Sequence, residues 1–126
     1  MIDIIIEALV NSPSITQYVP ADNIFPVFRL QQSTLPAITI QLVGTDPQHT
    51  HDTHVDMDIN MVEITTFHES PKAAWRVATE IRSRLQGFNG RDIEDIIFDT
   101  QATDIFESTE VHSISQRFEC FTTRPR

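Results

Sequence analysis

The sequence predicts an α+β domain: a mostly antiparallel sheet with two helices, in the order α-β-β-β-α-β-β, and one projecting β-hairpin. Three observations carry this. The run from His54 to Phe67 alternates for longer than any other segment. It passes directly into a sharply delimited helical stretch, Ser70 to Gly87. The last third again reads as two alternating runs joined by a short polar connection, which is an antiparallel hairpin signal. Helices segregated from a chiefly antiparallel sheet define the α+β class.

Ile2, Ile5, Ile6 and Leu9 recur at helical spacing, so residues 2–10 form a short amphipathic helix. Asn11-Ser12-Pro13 ends it, because a proline disfavours helical backbone at the residue before it. Residues 14–23 are a connector, with Ile15, Tyr18 and Val19 turned to the core. A short strand follows over Ile24–Leu30, and Pro26 places it at a sheet edge. After a polar loop, Pro36 opens a stronger strand in which Ile38, Ile40 and Leu42 share one face. Gly44-Thr45-Asp46-Pro47 breaks it.

Residues 45–54 are wholly polar and read as a loop. In the next strand Val55, Met57, Ile59 and Met61 alternate with His54, Asp56, Asp58 and Asn60. Beyond Met61 the apolar set becomes Val62, Ile64 and Thr66, so a β-bulge or sharp bend is predicted near Met61 and Val62. Thirteen extended residues span roughly 43 Å at ~3.3 Å each. A domain of this size has a radius of gyration of only ~14 Å. The hairpin over residues 37–61 is therefore expected to project, with the polar loop at its tip.

Ser70 is a suitable N-cap and Pro71 suits the first helical turn. Ala74, Val77, Ala78, Ile81 and Leu85 make one apolar stripe. Arg76 and Glu80 fall within i,i+4 reach, and Gly87 is placed to end the helix in left-handed backbone. Trp75 sits at the margin of the stripe, where it suits either the core or a subunit interface. Strands within Ile93–Ser108 and Val111–Thr123 complete the sheet, joined at Ser108-Thr109-Glu110, with Ile114, Phe118 and Cys120 on one side of the last strand.

The 126 residues read as one domain, 1–126, large enough to bury a core. No apolar run reaches the ~18 residues that a membrane span needs. The opening MIDIIIEALV has acids and no basic flank, unlike a signal peptide. A single cysteine excludes an internal disulfide framework and fits a reducing compartment. The net charge of −9 opposes binding to nucleic-acid phosphates.

No catalytic constellation and no phosphate-binding loop is present, so no enzymatic activity and no cofactor is expected. His49, His51 and His54, with Asp46, Asp52 and Asp56, are residue types that bind zinc or another transition metal. The pattern lacks the helical HExxH spacing, and a solvated loop tip is the plainer reading. Asp92, Glu94 and Asp95 read as a solvated turn. Cys120 reads as a small buried hydrophobe, with a nucleophilic pairing to His112 or His68 as the sharper alternative. Arg124 and Arg126 form either a frayed tail or a dock for an acidic neighbour.

Several stretches, taken together, resemble the small tail terminator, or tail completion, proteins of long-tailed bacteriophages. These are the helix at Ile5–Leu9, Ile24-Phe25-Pro26, Leu35-Pro36-Ala37-Ile38 through Gln41, the polar hairpin loop, and Thr66-Phe67 running into the Ala-rich helix to Leu85. The alternation Ser115–Glu119 completes the set. The resemblance covers nearly the whole chain in order and spacing. The His- and Asp-rich loop departs from the family pattern.

The resemblance implies a virion protein made in the bacterial host cytoplasm and sited where tail meets head. It implies a homo-oligomeric ring, usually a hexamer, that caps the tail tube, stops its polymerisation and presents the joining surface. Its partners would be the tail tube protein and the head connector or neck proteins, with DNA passing through without specific binding. On that view Asp46, His49, His51, Asp52, His54, Asp56 and Asp58 form an assembly or lumen surface, and Trp75, Arg124 and Arg126 a subunit interface. The lumen idea takes in Asn60 as well. A neighbouring head–tail connector protein, a small metal-binding domain built on His49, His51 and His54, and an unrelated adaptor are the alternatives.

Overall fold

The computed structural model describes residues 1–26, 36–48, 55–106 and 111–125. Its elements are α1 (Ile2–Val10), α2 (Pro13–Thr16), a 3-10 turn (Ala21–Asn23), β1 (Ile24–Pro26), β2 (Ala37–Gln48), β3 (Val55–His68), α3 (Pro71–Leu85), β4 (Ile93–Phe106) and β5 (Val111–Pro125). The order is the one the sequence predicts, with α2 and the 3-10 turn added inside the connector. Those pieces are too short to show a helical period. Pro13 starts α2 at its first turn, where a missing N–H costs nothing, and Ser12 before it is extended.

The five strands form one sheet in the order β1-β2-β3-β5-β4. β1 runs parallel to β2 and every other pairing is antiparallel. Pro26 lies on the edge strand, as predicted, where its missing N–H breaks no ladder. α1 packs on β1 and β2, while α3 packs on β3, β4 and β5. Both helices lie on one sheet face, and one core joins them: Ile5 and Leu9 of α1, Ile38 and Ile40 of β2, Val62 and Ile64 of β3, Val77, Ile81 and Leu85 of α3, and Phe118 of β5 are all buried. Each such side chain contributes about 1.5–3 kcal/mol relative to exposure. Phe118 meets Phe98 edge-on at 5.6 Å between ring centroids, and Arg82 lies 4.0 Å over the Phe98 ring.

The caps follow the sequence closely. Ser70 Oγ accepts the Ala73 N–H at 3.3 Å, and Gly87 is left-handed at φ 76°. α1 has no basic residue in its own last turn. Arg84 of α3 supplies the missing donor, its Nε reaching the Ala8 carbonyl at 3.2 Å. A second tie runs from Gln116 on β5, whose amide donates to the Ala78 carbonyl of α3 at 2.9 Å and to Gln101 on β4 at 3.1 Å. The i,i+4 pair expected between Arg76 and Glu80 is not among the ion pairs of the described residues.

The predicted bulge is present opposite Val62 and Met61, but on the partner strand. Leu42 pairs with Val62 and Gly44 with Met61, so Val43 is the extra residue. β3 itself stays in continuous register with β5 from Val55 to His68. Its buried residues, Asn60, Val62, Ile64 and Thr66, are all of one parity. The change in hydrophobic parity after Met61 therefore marks a change in which face carries the apolar residues. Met57, Ile59 and Met61 are half-buried on the face away from the helices.

Candidate functional site

The hairpin of β2 and β3 is paired along its full length, Ala37 with Phe67 through Gln48 with Met57. It is not a free arm on both sides: β5 runs beside β3 to the pair Val55–Pro125. β1 pairs only with Ile38, Thr39 and Ile40, so among the described residues the outer edge of β2 from Gln41 to Gln48 carries no strand. Residues Gln41 to Pro47 are all exposed. Leu42 and Val43 stand out there at 44% exposure each, although Leu42 shares the face of buried Ile38 and Ile40.

The acids singled out by sequence do not line one surface. Asp46 is exposed and sits opposite Ile59. Asp58 is half-buried and sits opposite Pro47 and Thr122. Because side chains alternate along a strand, Asp46 belongs to the face away from the helices and Asp58 to the helix-side face. Asp56 is directly opposed in register to Arg124. His49, His51, Asp52, His54 and Arg126 lie outside the described residues, as does the connection at Ser108-Thr109-Glu110. Among the described residues no group of three or more His, Cys, Asp or Glu side chains could hold a metal ion.

Asn60, grouped by sequence with the open polar face, is buried and cross-links three strands. Its Nδ2 donates to the Cys120 carbonyl at 3.1 Å and to Thr122 Oγ1 at 3.0 Å, and its Oδ1 accepts from Thr45 Oγ1 at 2.8 Å. A buried amide with these partners satisfied is a structural clamp. Nothing in the sequence distinguishes it from Asp56 and Asp58. Only its level in the sheet does, beside Cys120 and under the last of the core.

Trp75 is not a core residue. It is 59% exposed on the outer side of α3, while the stripe beside it is fully buried. It borders an apolar groove of about 280 Å³ between the start of α3 and the β4–β5 hairpin, with Pro71, Ala74, Thr103, His112 and Ile114. Lys72 and Arg76, both exposed, line a separate hollow of about 360 Å³ with Tyr18, Ser70 and Ala73. At the same end His68 Nδ1 accepts the Ser70 N–H at 3.0 Å, and burial holds its pKa below the ordinary value.

The remaining chemical candidates have structural roles. Cys120 is buried, and burial pushes its thiol up to about 11. His68 and His112 are directly opposed in register, whereas Cys120 lies eight residues along β5 from His112, roughly 26 Å at ~3.3 Å per residue. A Cys–His pairing is excluded by that spacing. Asp95 Oδ1 accepts the Ile96 N–H at 2.9 Å and the Asp92 carbonyl accepts the Thr123 N–H at 3.1 Å, so this acidic turn ties the start of β4 to β5. The described residues thus offer two surfaces for contact: a strand edge with an exposed apolar bulge, and an apolar groove beside an exposed tryptophan.

No protein-family model and no curated protein sequence matches this chain. Among solved structures it is similar to a chain of the virion of a native gene transfer agent (GTA) particle. The identity is 13%, the TM-score 0.70, and the match covers 95% of this chain and 92% of that one. At that identity the likeness establishes a shared fold over essentially the whole length of both chains. No helix among the described residues is long and apolar enough to cross a membrane.

Proposed function

We propose that this chain is a structural component of a phage-like virion, working as a ring that caps the tail tube and joins tail to head. The carrying observation is the fold shared, nearly end to end, with a chain of the gene transfer agent virion. The succession of elements that resembles tail terminators supports the finer assignment, and that succession is the one the fold displays. In this reading the chain stops tube polymerisation by covering the last tube ring. It contacts copies of itself in a ring, expected to hold six, the tail tube protein on one side and a neck or connector protein on the other. It has no catalytic step and needs no cofactor.

The net charge of −9 suits a ring through which DNA passes without sticking. Because Asp46 and Asp58 belong to opposite sheet faces, one orientation of the subunit presents only one of them to a lumen. Removing the chain from a particle-producing genome and imaging the products by electron microscopy tests the proposal. Tail tubes of irregular, excessive length and heads without tails are expected, reversed by supplying the chain in trans. Tubes of normal length joined to heads would refute it.

A further inference from the structure

The first turn of α3 hangs on Ser70. Its Oγ accepts the Ala73 N–H at 3.3 Å, and its carbonyl accepts the Ala74 N–H at 2.9 Å. Pro71, the first helical residue, has no N–H to place. The Ser70 N–H itself donates back to His68 Nδ1 at 3.0 Å. One imidazole nitrogen thus holds the residue that holds the helix start.

A backbone N–H can only donate, so Nδ1 presents its lone pair and the ring proton of neutral His68 lies on Nε2. Protonating Nδ1 removes that acceptor. It also sets a cation at the positive end of a 15-residue helix whose first turn has no acid. Exposed Glu69, next in the chain, favours the imidazolium. Against it stand Lys72 and Arg76 of α3, and His112, directly opposite on β5. The Tyr18 phenol lines the hollow of Ser70 and Lys72, and β2 begins beside Phe67 at uncharged Ala37. Burial of the ring outweighs Glu69 and holds the His68 pKa below its ordinary value of 6.5.

His112 also lines the groove beside Trp75, together with Pro71 and Ala74. The turn that His68 secures is therefore one wall of that groove. We infer that His68 is an acid-released latch: its unprotonated Nδ1 fixes Ser70 and keeps the groove in shape, and protonation there lets the first turn of α3 open. Val77, Ile81 and Leu85 stay buried in the core, so the opening is confined to that turn. The latch contributes fully above pH 6.5 and is lost as the pH falls through the lower value of the folded state.

Trp75 is the single tryptophan of the chain and reports the opening by fluorescence. In a scan of the full chain from about pH 8 to about pH 5, its emission should change reversibly, with a midpoint below 6.5. The Oδ1 of an asparagine accepts an N–H two residues on and does not titrate, so His68→Asn should keep the neutral emission throughout. At the acid end, Ala73 and Ala74 of the wild type should exchange their amide hydrogens faster than in His68→Asn at the same pH, with Ile81 and Leu85 unchanged. His68→Ala should show the acid emission from the start of the scan. His112→Asn should leave the transition in place. Nitrogen NMR at the neutral end should find His68 protonated on Nε2.

A flat wild-type scan, a transition that survives His68→Asn, one abolished by His112→Asn, or a proton on Nδ1 at the neutral end would each overturn the latch. The tail-capping proposal is read from tube length in the deletion and stands or falls separately.

Discussion

The two ends of the same three strands behave differently. Around Ile38, Ile64 and Gln116, β2, β3 and β5 lie under the helices and one face is dry. Around Asp46, Ile59 and Phe121 the pairing continues unbroken, but side chains on the other face are exposed or half-buried. Strand pairing alone does not decide the difference. The helix layer does: under it apolar burial holds the strands, and at its margin a polar clamp at Asn60 replaces that burial. The same sheet thus has a region specified by its core and a region free to be specified by a partner.

That contrast can be broken at several points. The largest effect belongs to the covered end: Phe118→Ala should destabilise by about 3–5 kcal/mol in urea unfolding. A loss below about 1 kcal/mol would mean that the Phe98–Phe118 contact is not central to the core. At the margin, Asn60→Ala removes three hydrogen bonds to the two neighbouring strands and should cost about 1–3 kcal/mol. Hydrogen exchange should loosen at residues 45 and 120–122 and not at residues 64–66; uniform loosening would count against a local clamp.

Cys120 reports the same boundary through pH. Its thiol keeps its proton in the fold up to about 11, against an ordinary value of 9.0. The unfolded chain therefore loses that proton first. The contribution is fully present below pH 9.0 and is lost as the pH rises to about 11. The slope should approach about 1.4 kcal/mol per pH unit, and Cys120→Ala should flatten it. A profile unchanged by that substitution would assign the alkaline loss to other groups. Ser70→Ala should cost about 1 kcal/mol by removing the α3 cap. Smallest of all, Asp46→Lys on the open edge should change stability by less than about 0.5 kcal/mol, and a larger change would show that the edge is already engaged within the chain.

Much of the covered end was legible in the sequence. Ser70, Pro71 and Gly87 bound α3 within a residue or two, and its apolar stripe is the buried one. The first strand's proline does sit at an edge. The parity change in β3 was visible, but its cause was not. Periodicity reports which face is apolar at each level, and a bulge and a change of cover give the same signal. The extra residue proved to be Val43 on the facing strand. The candidate surface was less legible still. Trp75 at a stripe margin has two readings until the helix is rotated onto the sheet. Leu42 shares the face of buried Ile38 and Ile40 yet is exposed, and the alternation of its strand gives no sign of that difference. Asn60 shares its alternation with Asp56 and Asp58, so its buried role depends entirely on where β5 and the core end.

The position of β5 in the sheet has a consequence for synthesis. It follows the other strands in the chain yet lies between β3 and β4. While residues 111–125 remain in the ribosome, β3 has no partner on one side and β4 has none at all. The nascent chain then carries two long unsatisfied edges, a state open to wrong pairing with neighbouring nascent chains. The sheet is completed in one late step that brings residues 93–106 and 55–68 onto the same strand. The pairings that matter most are distant in sequence, so folding should be slow for a chain of this length.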